Sequence, residues 1–340
     1  EKRGIKKKKK LSRKKIVKNK NKQPKKNIKL GTAIENIKIE EPGPNEALIE
    51  TKAIGLNFID TYHRSGSYPL KLPSGIGLEA SGIIKKIGSK VKNLSIGDRV
   101  AYGGLPIGAY AEERIYPSDN LVKLPEEISF DVAASIMIKG LTTYYLLYRT
   151  FPVKPNNTVL FHAAAGGVGQ IFCQWAKSLG CKVIGTVGSE EKMNIAKKNG
   201  CDLVINYSKE NFVEKVMEYT KGVGVPVVYD GVGDKTFEKS IACLKKTGTM
   251  VSFGNASGPL KNIDVQKHIQ PKSLFFTRPT GGHYFTTKQL LNEAADELFE
   301  QIKFGKVKIK IYKEYNLKEV IQTHKDLEAR KIIGPAVIIP

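Results

Sequence analysis

The chain reads as α/β plus β: a partly open, antiparallel, barrel-like unit followed by a doubly wound unit with a parallel sheet. Three observations lead there. Short alternating strands punctuated by turn clusters fill residues 33–115, and the period changes to helical after Leu124-Pro125. The apolar run Val159-Leu160-Phe161-His162 then ends in Ala163-Ala164-Ala165-Gly166-Gly167-Val168-Gly169, after which apolar positions recur at helical spacing. That is strand, tight turn and helix.

In the first unit, Ile37-Lys38-Ile39-Glu40 alternates, Pro42-Gly43-Pro44-Asn45 turns, and Ala47 to Ile54 alternates again. Strands follow at Ala80 to Ile87, Arg99 to Tyr102 and Ala109 to Ile115, with Ser95-Ile96-Gly97-Asp98 as a turn among them. Phe130 to Leu147 has helical spacing. Strands at Val159–His162, Lys182–Val187, Leu203–Asn206, Val225–Asp230, Thr249–Phe253 and Leu274–Thr277 then alternate with helices such as Lys192–Asn199, Phe212–Thr220 and Lys235–Lys245. Near-continuous apolar strands in repeated βαβ units mean a parallel sheet covered on both faces. Residues 287–303 read as helix, and 306–340 as short strands and a helix that return to the first unit.

Composition limits the function. The net charge of +23 is concentrated: residues 1–30 hold 16 Lys and Arg against one acid, leaving +8 on the other 310 residues. Lys6 to Lys10 is an unbroken basic run, so residues 1–30 are expected to form a disordered tail attracted to polyanions. RNA or membrane-surface contact, an organelle leader and a plain solvated extension are its three readings. No apolar run is long enough for a membrane span, and no secretory apolar core follows the basic stretch. Cys173, Cys181, Cys201 and Cys243 lack metal-ligand or CxxC spacing, which argues against structural zinc or a disulfide framework. A reducing compartment, the cytoplasm, is expected. The five histidines show no HxxxH spacing; His63 lies near the presumed cleft and is expected at the surface.

The glycine turn carries the chemistry. Gly166 and Gly169 lack a Cβ, so a pyrophosphate can approach the backbone while the helix N-terminus faces it. Ala164 stands where the first glycine of a dinucleotide turn would be. An NAD site places an acid at the end of the second strand; here that strand ends Gly185-Thr186-Val187-Gly188-Ser189, and Lys192 follows. A hydroxyl and a cation suit a 2′-phosphate, hence NADPH. Ser189 as a plain N-cap and Lys192 as a surface residue is the other reading, and Glu190 and Glu191 favour the helix dipole from the first turn.

Asn57-Phe58-Ile59-Asp60-Thr61-Tyr62-His63-Arg64-Ser65-Gly66, Gly77-Leu78-Glu79-Ala80-Ser81-Gly82, Gly97-Asp98-Arg99-Val100, Lys139-Gly140-Leu141-Thr142-Thr143, Ala163 to Gly169 and Ile205-Asn206-Tyr207 occur in one order. The set resembles the zinc-independent, ζ-crystallin-like NADPH:quinone oxidoreductases of the medium-chain dehydrogenase/reductase superfamily, over residues 33–340. The resemblance implies a GroES-like catalytic domain at 31–138, a Rossmann NADPH-binding domain at 139–280, a return to the catalytic domain at 281–340, and a homodimer. It implies Asn57 and Tyr62 as catalytic residues beside nicotinamide and substrate, with Thr142 beside the nicotinamide. Gly166, Gly167 and Val168 would hold the pyrophosphate, and Ser189, Lys192 and Tyr207 the 2′-phosphate. Phe253 and Gly254 would flank the nicotinamide ribose, and Arg330 would reach the phosphate end.

Each residue has a plainer reading: Asn57 as a cap, Tyr62, Tyr207 and Phe253 as packing, Arg330 as a surface charge. Zinc-dependent members carry Cys at the position of Asn57 and His at that of Leu78, and a four-Cys lobe absent here, so no metal is expected. A quinone or enone stabilises the charge it receives and needs less help than an alcohol. Reduction of alkenals or enones is the neighbouring activity, and nucleic-acid binding through the tail the reading from another class. The resemblance leaves one departure: a lysine-rich segment stands where the family's apolar first strand would be, unless residues 27–34 form a poor version of it.

Lys192→Ala should raise the KM for NADPH much more than that for NADH in steady-state assays; equal effects would show that Lys192 does not meet a 2′-phosphate.

Overall fold

The computed structural model describes residues 13–19 and 32–340. In chain order the elements are β1 (Arg13–Asn19), β2 (Thr32–Lys38), β3 (Glu46–Gly55), α1 (Phe58–Ser65), β4 (Ser74–Gly75), β5 (Glu79–Ile87), β6 (Arg99–Gly103), β7 (Glu113–Pro117), β8 (Val122–Lys123) and α2 (Phe130–Tyr145). There follow β9 (Thr158–His162), α3 (Gly167–Ser178), β10 (Lys182–Val187), α4 (Glu190–Lys198), β11 (Leu203–Asn206), α5 (Phe212–Tyr219), β12 (Val225–Asp230), α6 (Phe237–Cys243), β13 (Leu244–Ser252) and β14 (Phe275–Thr277). The chain closes with α7 (Lys288–Lys303), β15 (Lys313–Asn316), α8 (Val320–Glu328) and β16 (Ala336–Ile339). No helix among the described residues is long and apolar enough to cross a membrane.

The six-stranded sheet has the order β11-β10-β9-β12-β13-β14, every pair parallel, with β9 at the centre where the order reverses. This is the Rossmann arrangement, and its crevice lies outside the carboxyl ends of the strands at that reversal. Along β9, Val159 and Phe161 join the core against α2, α3 and α7, while Leu160 joins the core on the opposite face. A continuous apolar run is therefore what burial on both faces demands. The other large sheet runs β15-β16-β3-β5-β6-β8 with β7 also on β3, antiparallel except for β15 with β16. Its first two strands in that order, β15 and β16, come from the C-terminal segment.

Several expectations shift. Residues 13–19, assigned to a disordered tail, form β1, which pairs with β2 and briefly with β4. Antiparallel pairing uses the backbone and needs no apolar run, so the lysines did not disclose it. The rest of the basic tail lies outside the described residues. The strand expected at Ala109 starts only at Glu113, because Ala109 and Tyr110 turn their N–H groups onto Gly77 and Ile76. The helix expected at Lys235–Lys245, the fourth of the Rossmann unit, stops at Cys243, where the chain passes directly into β13.

At the turn after β9, Ala163 takes the left-handed conformation (φ 59°) and Gly166 caps α3. A Cβ on Gly169 would lie 2.5 Å from the Ala163 carbonyl oxygen and 2.7 Å from that of Ala164, so only glycine lets the helix lie this close to the turn.

Helix α1 is backed by a buried polar chain. The Asp60 carboxylate accepts from the Asn57 N–H at 2.9 Å and from the Tyr110 hydroxyl at 2.9 Å, and that hydroxyl is 3.2 Å from His324 Nε2 on α8. At the outer end of α1, Arg64 pairs with Glu328. Burial pushes Asp60 up to about 7 and the His324 imidazole down to about 3, with the Arg64 charge adding to the latter. The folded state thus keeps a proton on Asp60 that the unfolded chain loses near pH 4. Stability from this group is complete below pH 4 and is lost as pH rises through 7. Asp60→Asn should therefore raise the urea midpoint relative to wild type more at pH 8 than at pH 5; the same displacement at both would show that Asp60 does not titrate in that window.

Candidate active site

Strand β3 ends at Gly55 and the chain turns into α1 through Asn57, whose backbone is extended (φ −132°). The Asn57 Nδ2 donates to Glu79 Oε1 at 2.7 Å, and its Oδ1 accepts from Lys139 Nζ at 2.9 Å. Lys139 Nζ also donates to Glu79 Oε1 at 2.7 Å, and the Ile138 N–H to Glu79 Oε2 at 2.6 Å. The Glu79 side chain is 0 % exposed and that of Lys139 8 %. Gly55 makes the room: a Cβ there would lie 2.2 Å from Glu79 Oε1. Neither Glu79 nor Lys139 stands out as a site residue from spacing. The available signal is one acid in Leu78-Glu79-Ala80 and one base in Ile136-Met137-Ile138-Lys139-Gly140-Leu141, opposite charges alone in apolar runs.

From Lys139 the same face of α2 continues at Thr142 and Tyr145. The Tyr145 hydroxyl bonds to Thr142, its ring stacks on Tyr284 at 4.6 Å, and it lies in the field of Arg278. Arg278, just after β14, donates Nη1 to the Ser252 carbonyl at 2.8 Å, and its charge also reaches Tyr62. Tyr62 is half-buried between Phe58 and Tyr68, at 5.7 and 5.3 Å between ring centres, and burial pushes its hydroxyl up to about 12. It can donate a hydrogen bond but stays protonated at neutral pH. The Tyr68 hydroxyl is 3.3 Å from the Asn255 side-chain amide, so the two sheets' loops meet. Asn57 and Lys139 thus meet directly, Thr142 and Tyr145 follow along α2, and the field of Arg278 reaches Tyr145 and Tyr62 on α1, which closes the ring electrostatically.

The glycine turn opens beside that ring. A Cβ on Gly167 would lie 3.0 Å from Lys139 Cδ and Cε, so the lysine stem passes across the first turn of α3. Gly166, Gly167 and Val168 are partly exposed there; the Gly166 N–H donates to the Ala163 carbonyl at 2.8 Å, and the Gly167 and Val168 N–H groups begin α3 and can face an anion. Phe253 and Gly254, at the end of β13, both donate N–H groups to the Asp230 carbonyl, and the Phe253 ring covers Gly231. A second cradle lies at the end of β10. Ser189 caps α4, with its Oγ accepting from the Lys192 N–H, and the Tyr207 hydroxyl would be 2.7 Å from a Cβ on Gly188. Lys192 is half-buried, whereas Glu190 is turned away to Lys209 at 2.9 Å.

Two residues stand elsewhere. Arg330 is exposed with a left-handed backbone (φ 58°) after α8, and among the described residues no hydrogen bond or ion pair ties it to the turn. Its neighbour in sequence Ile333 does reach α3, by accepting from Gln170 Nε2 at 2.8 Å. His63, expected at the surface, is 7 % exposed, with its ring 5.8 Å from that of Tyr68; burial lowers its pKa.

Comparison with known proteins agrees with this architecture. Residues 43–126 match the alcohol dehydrogenase GroES-like domain and residues 167–300 the zinc-binding dehydrogenase family. The chain is 48 % identical over 301 residues to a quinone oxidoreductase of Pseudomonas aeruginosa, covering 88 % of this chain and 93 % of that one. It is 41 % identical over 313 residues to a 2-haloacrylate reductase of Burkholderia, covering 90 % and 94 %. The crystal structure of Escherichia coli quinone oxidoreductase complexed with NADPH superposes with a TM-score of 0.91 at 45 % identity, covering 96 % of this chain and 100 % of that one. The residues here do not fit the zinc of the matched family's name: Leu78 has no donor atom, Asn57 Oδ1 and Glu79 Oε1 already accept from the Lys139 ammonium, and Glu79 Oε2 from the Ile138 N–H. The two domain matches and the identity over most of the chain lead to one conclusion: it belongs to the quinone oxidoreductases of the medium-chain dehydrogenase/reductase superfamily.

Proposed function

We propose that the chain reduces quinones by hydride transfer from NADPH in the cleft framed by the ring around Lys139. The observation that carries this is the position of that ring: beside the glycine turn and at the carboxyl ends of β13 and β14, where a dinucleotide bound along the turn would present its reactive end. Bound NADPH supplies the hydride.

The chain supplies position and shelter from water. Gly166, Gly167 and Val168 hold the pyrophosphate on α3. Ser189 offers a hydroxyl, Lys192 a cation and Tyr207 a second hydroxyl to the 2′-phosphate. Thr142, Phe253 and Gly254 bound the nicotinamide side, and Asn57 and Tyr62 face the acceptor, Tyr62 as a neutral donor. Arg330 reaches the phosphate end through the segment that Ile333 ties to α3. The Burkholderia relative extends the reading to conjugated acceptors other than quinones. NADPH absorbance should fall when a simple benzoquinone is added to the enzyme, with NADH a poorer donor; no oxidation with any quinone or enone would reject the proposal.

A homodimer in the cytoplasm is the form we propose. β14 is an edge strand with Phe275 64 % exposed, a surface a second copy would cover. Sedimentation equilibrium should give twice the chain mass, and Phe275→Glu should shift it toward the monomer.

A further inference from the structure

We propose that the Lys139 ammonium is the electrophile of the reaction, a fixed cation that stabilises the oxygen on which charge develops when the acceptor is reduced. The inference rests on the quinone reductase reading and goes beyond it by assigning that charge a partner. The geometry comes from three side chains. Glu79 accepts two bonds on Oε1 and one on Oε2. Lys139 spends two of its three N–H bonds, on Asn57 Oδ1 and Glu79 Oε1, and Asn57 spends one of its two amide N–H bonds. Among the described residues one N–H on each remains, from groups 6 % exposed and beside the first turn of α3. Two fixed donors in a nearly dry site are what an oxyanion requires, and Glu79 keeps the pair neutral until charge appears.

The step balances. A hydride leaves NADPH with both electrons of its C–H bond and forms a new bond on the acceptor. The conjugated π electrons move to the carbonyl oxygen, which becomes anionic against Lys139 and Asn57, and water supplies the proton that completes the product. An acceptor that spreads the charge well needs little from Lys139; one that does not needs much.

The test is therefore a series of acceptors. In Lys139→Met, kcat for a weakly activated enone should fall on the order of 100-fold, as when an oxyanion donor is removed, while kcat for benzoquinone should fall only a few-fold. Lys139→Arg should restore part of the enone rate. Because Lys139→Met leaves Glu79 buried without its cation, the double variant Glu79→Gln/Lys139→Met provides a neutral site and should show the same acceptor dependence. A readout without turnover uses 4-nitrophenol, a phenol that resembles the reduced product. Its absorbance titration in the presence of enzyme and NADP+ should move to lower pH with wild type and not with Lys139→Met. Equal losses of kcat across the series, a rise in KM for NADPH alone, or the same phenol titration with both proteins would each overturn the assignment. Failure of wild type to oxidise NADPH with any acceptor would instead reject the quinone reductase reading.

Discussion

An ammonium and a carboxylate withdrawn from water can stay charged only if each finds geometry good enough to offset its lost hydration, commonly several kcal/mol per ion. Lys139 and Glu79 meet that condition at 2.7 Å, with Asn57 and the Ile138 N–H completing their shells. The three side chains come from α2, β5 and the entrance to α1. Their bonds therefore set how the barrel-like sheet, the helix behind it and the helix carrying Tyr62 sit together. Removing either charge would leave the other buried and unpaired, so the cluster constrains the fold as firmly as it shapes the cleft.

Helix α2 makes that constraint effective on both sides. Its Gly140 lies so close to α7 that a Cβ would be 2.4 Å from the Leu298 side chain, and the Lys139 stem crosses the first turn of α3 one residue earlier. Close approach also governs the turn itself, where Gly169 brings α3 against Ala163 and Ala164. The glycine turn and the Asn57–Glu79 cluster thus both meet α2, and the same lysine touches both.

Much of this was legible in the chain. The order of strands after Val159, the glycine turn and the change of period at Leu124-Pro125 are local patterns, and the parallel sheet follows from them. The motif around Asn57 and the pairing of Ser189 with Lys192 were visible as residue types in a recognisable order. The strand at Arg13–Asn19 was hidden because its pairing lies in the backbone and a lysine-rich sequence carries no apolar alternation to mark it. His63 was misplaced because an eight-residue helix with both Asp60 and Arg64 buried gives no polar face to read. Glu79 and Lys139 were present inside quoted motifs, yet nothing in spacing joins residues 60 positions apart.

What the sequence determined by itself was the pair of architectures and the existence of a glycine turn between β9 and α3, since both depend on patterns within a strand or helix. The tertiary structure alone decided which polar groups meet: that Asn57 faces an ammonium, that Asp60 is held behind it as a weak acid, and that Arg278 looks onto Tyr62 and Tyr145. The reason is physical. Propensity and periodicity act over a few residues, whereas the energy of a buried charge depends on partners that only the folded chain brings within hydrogen-bond distance.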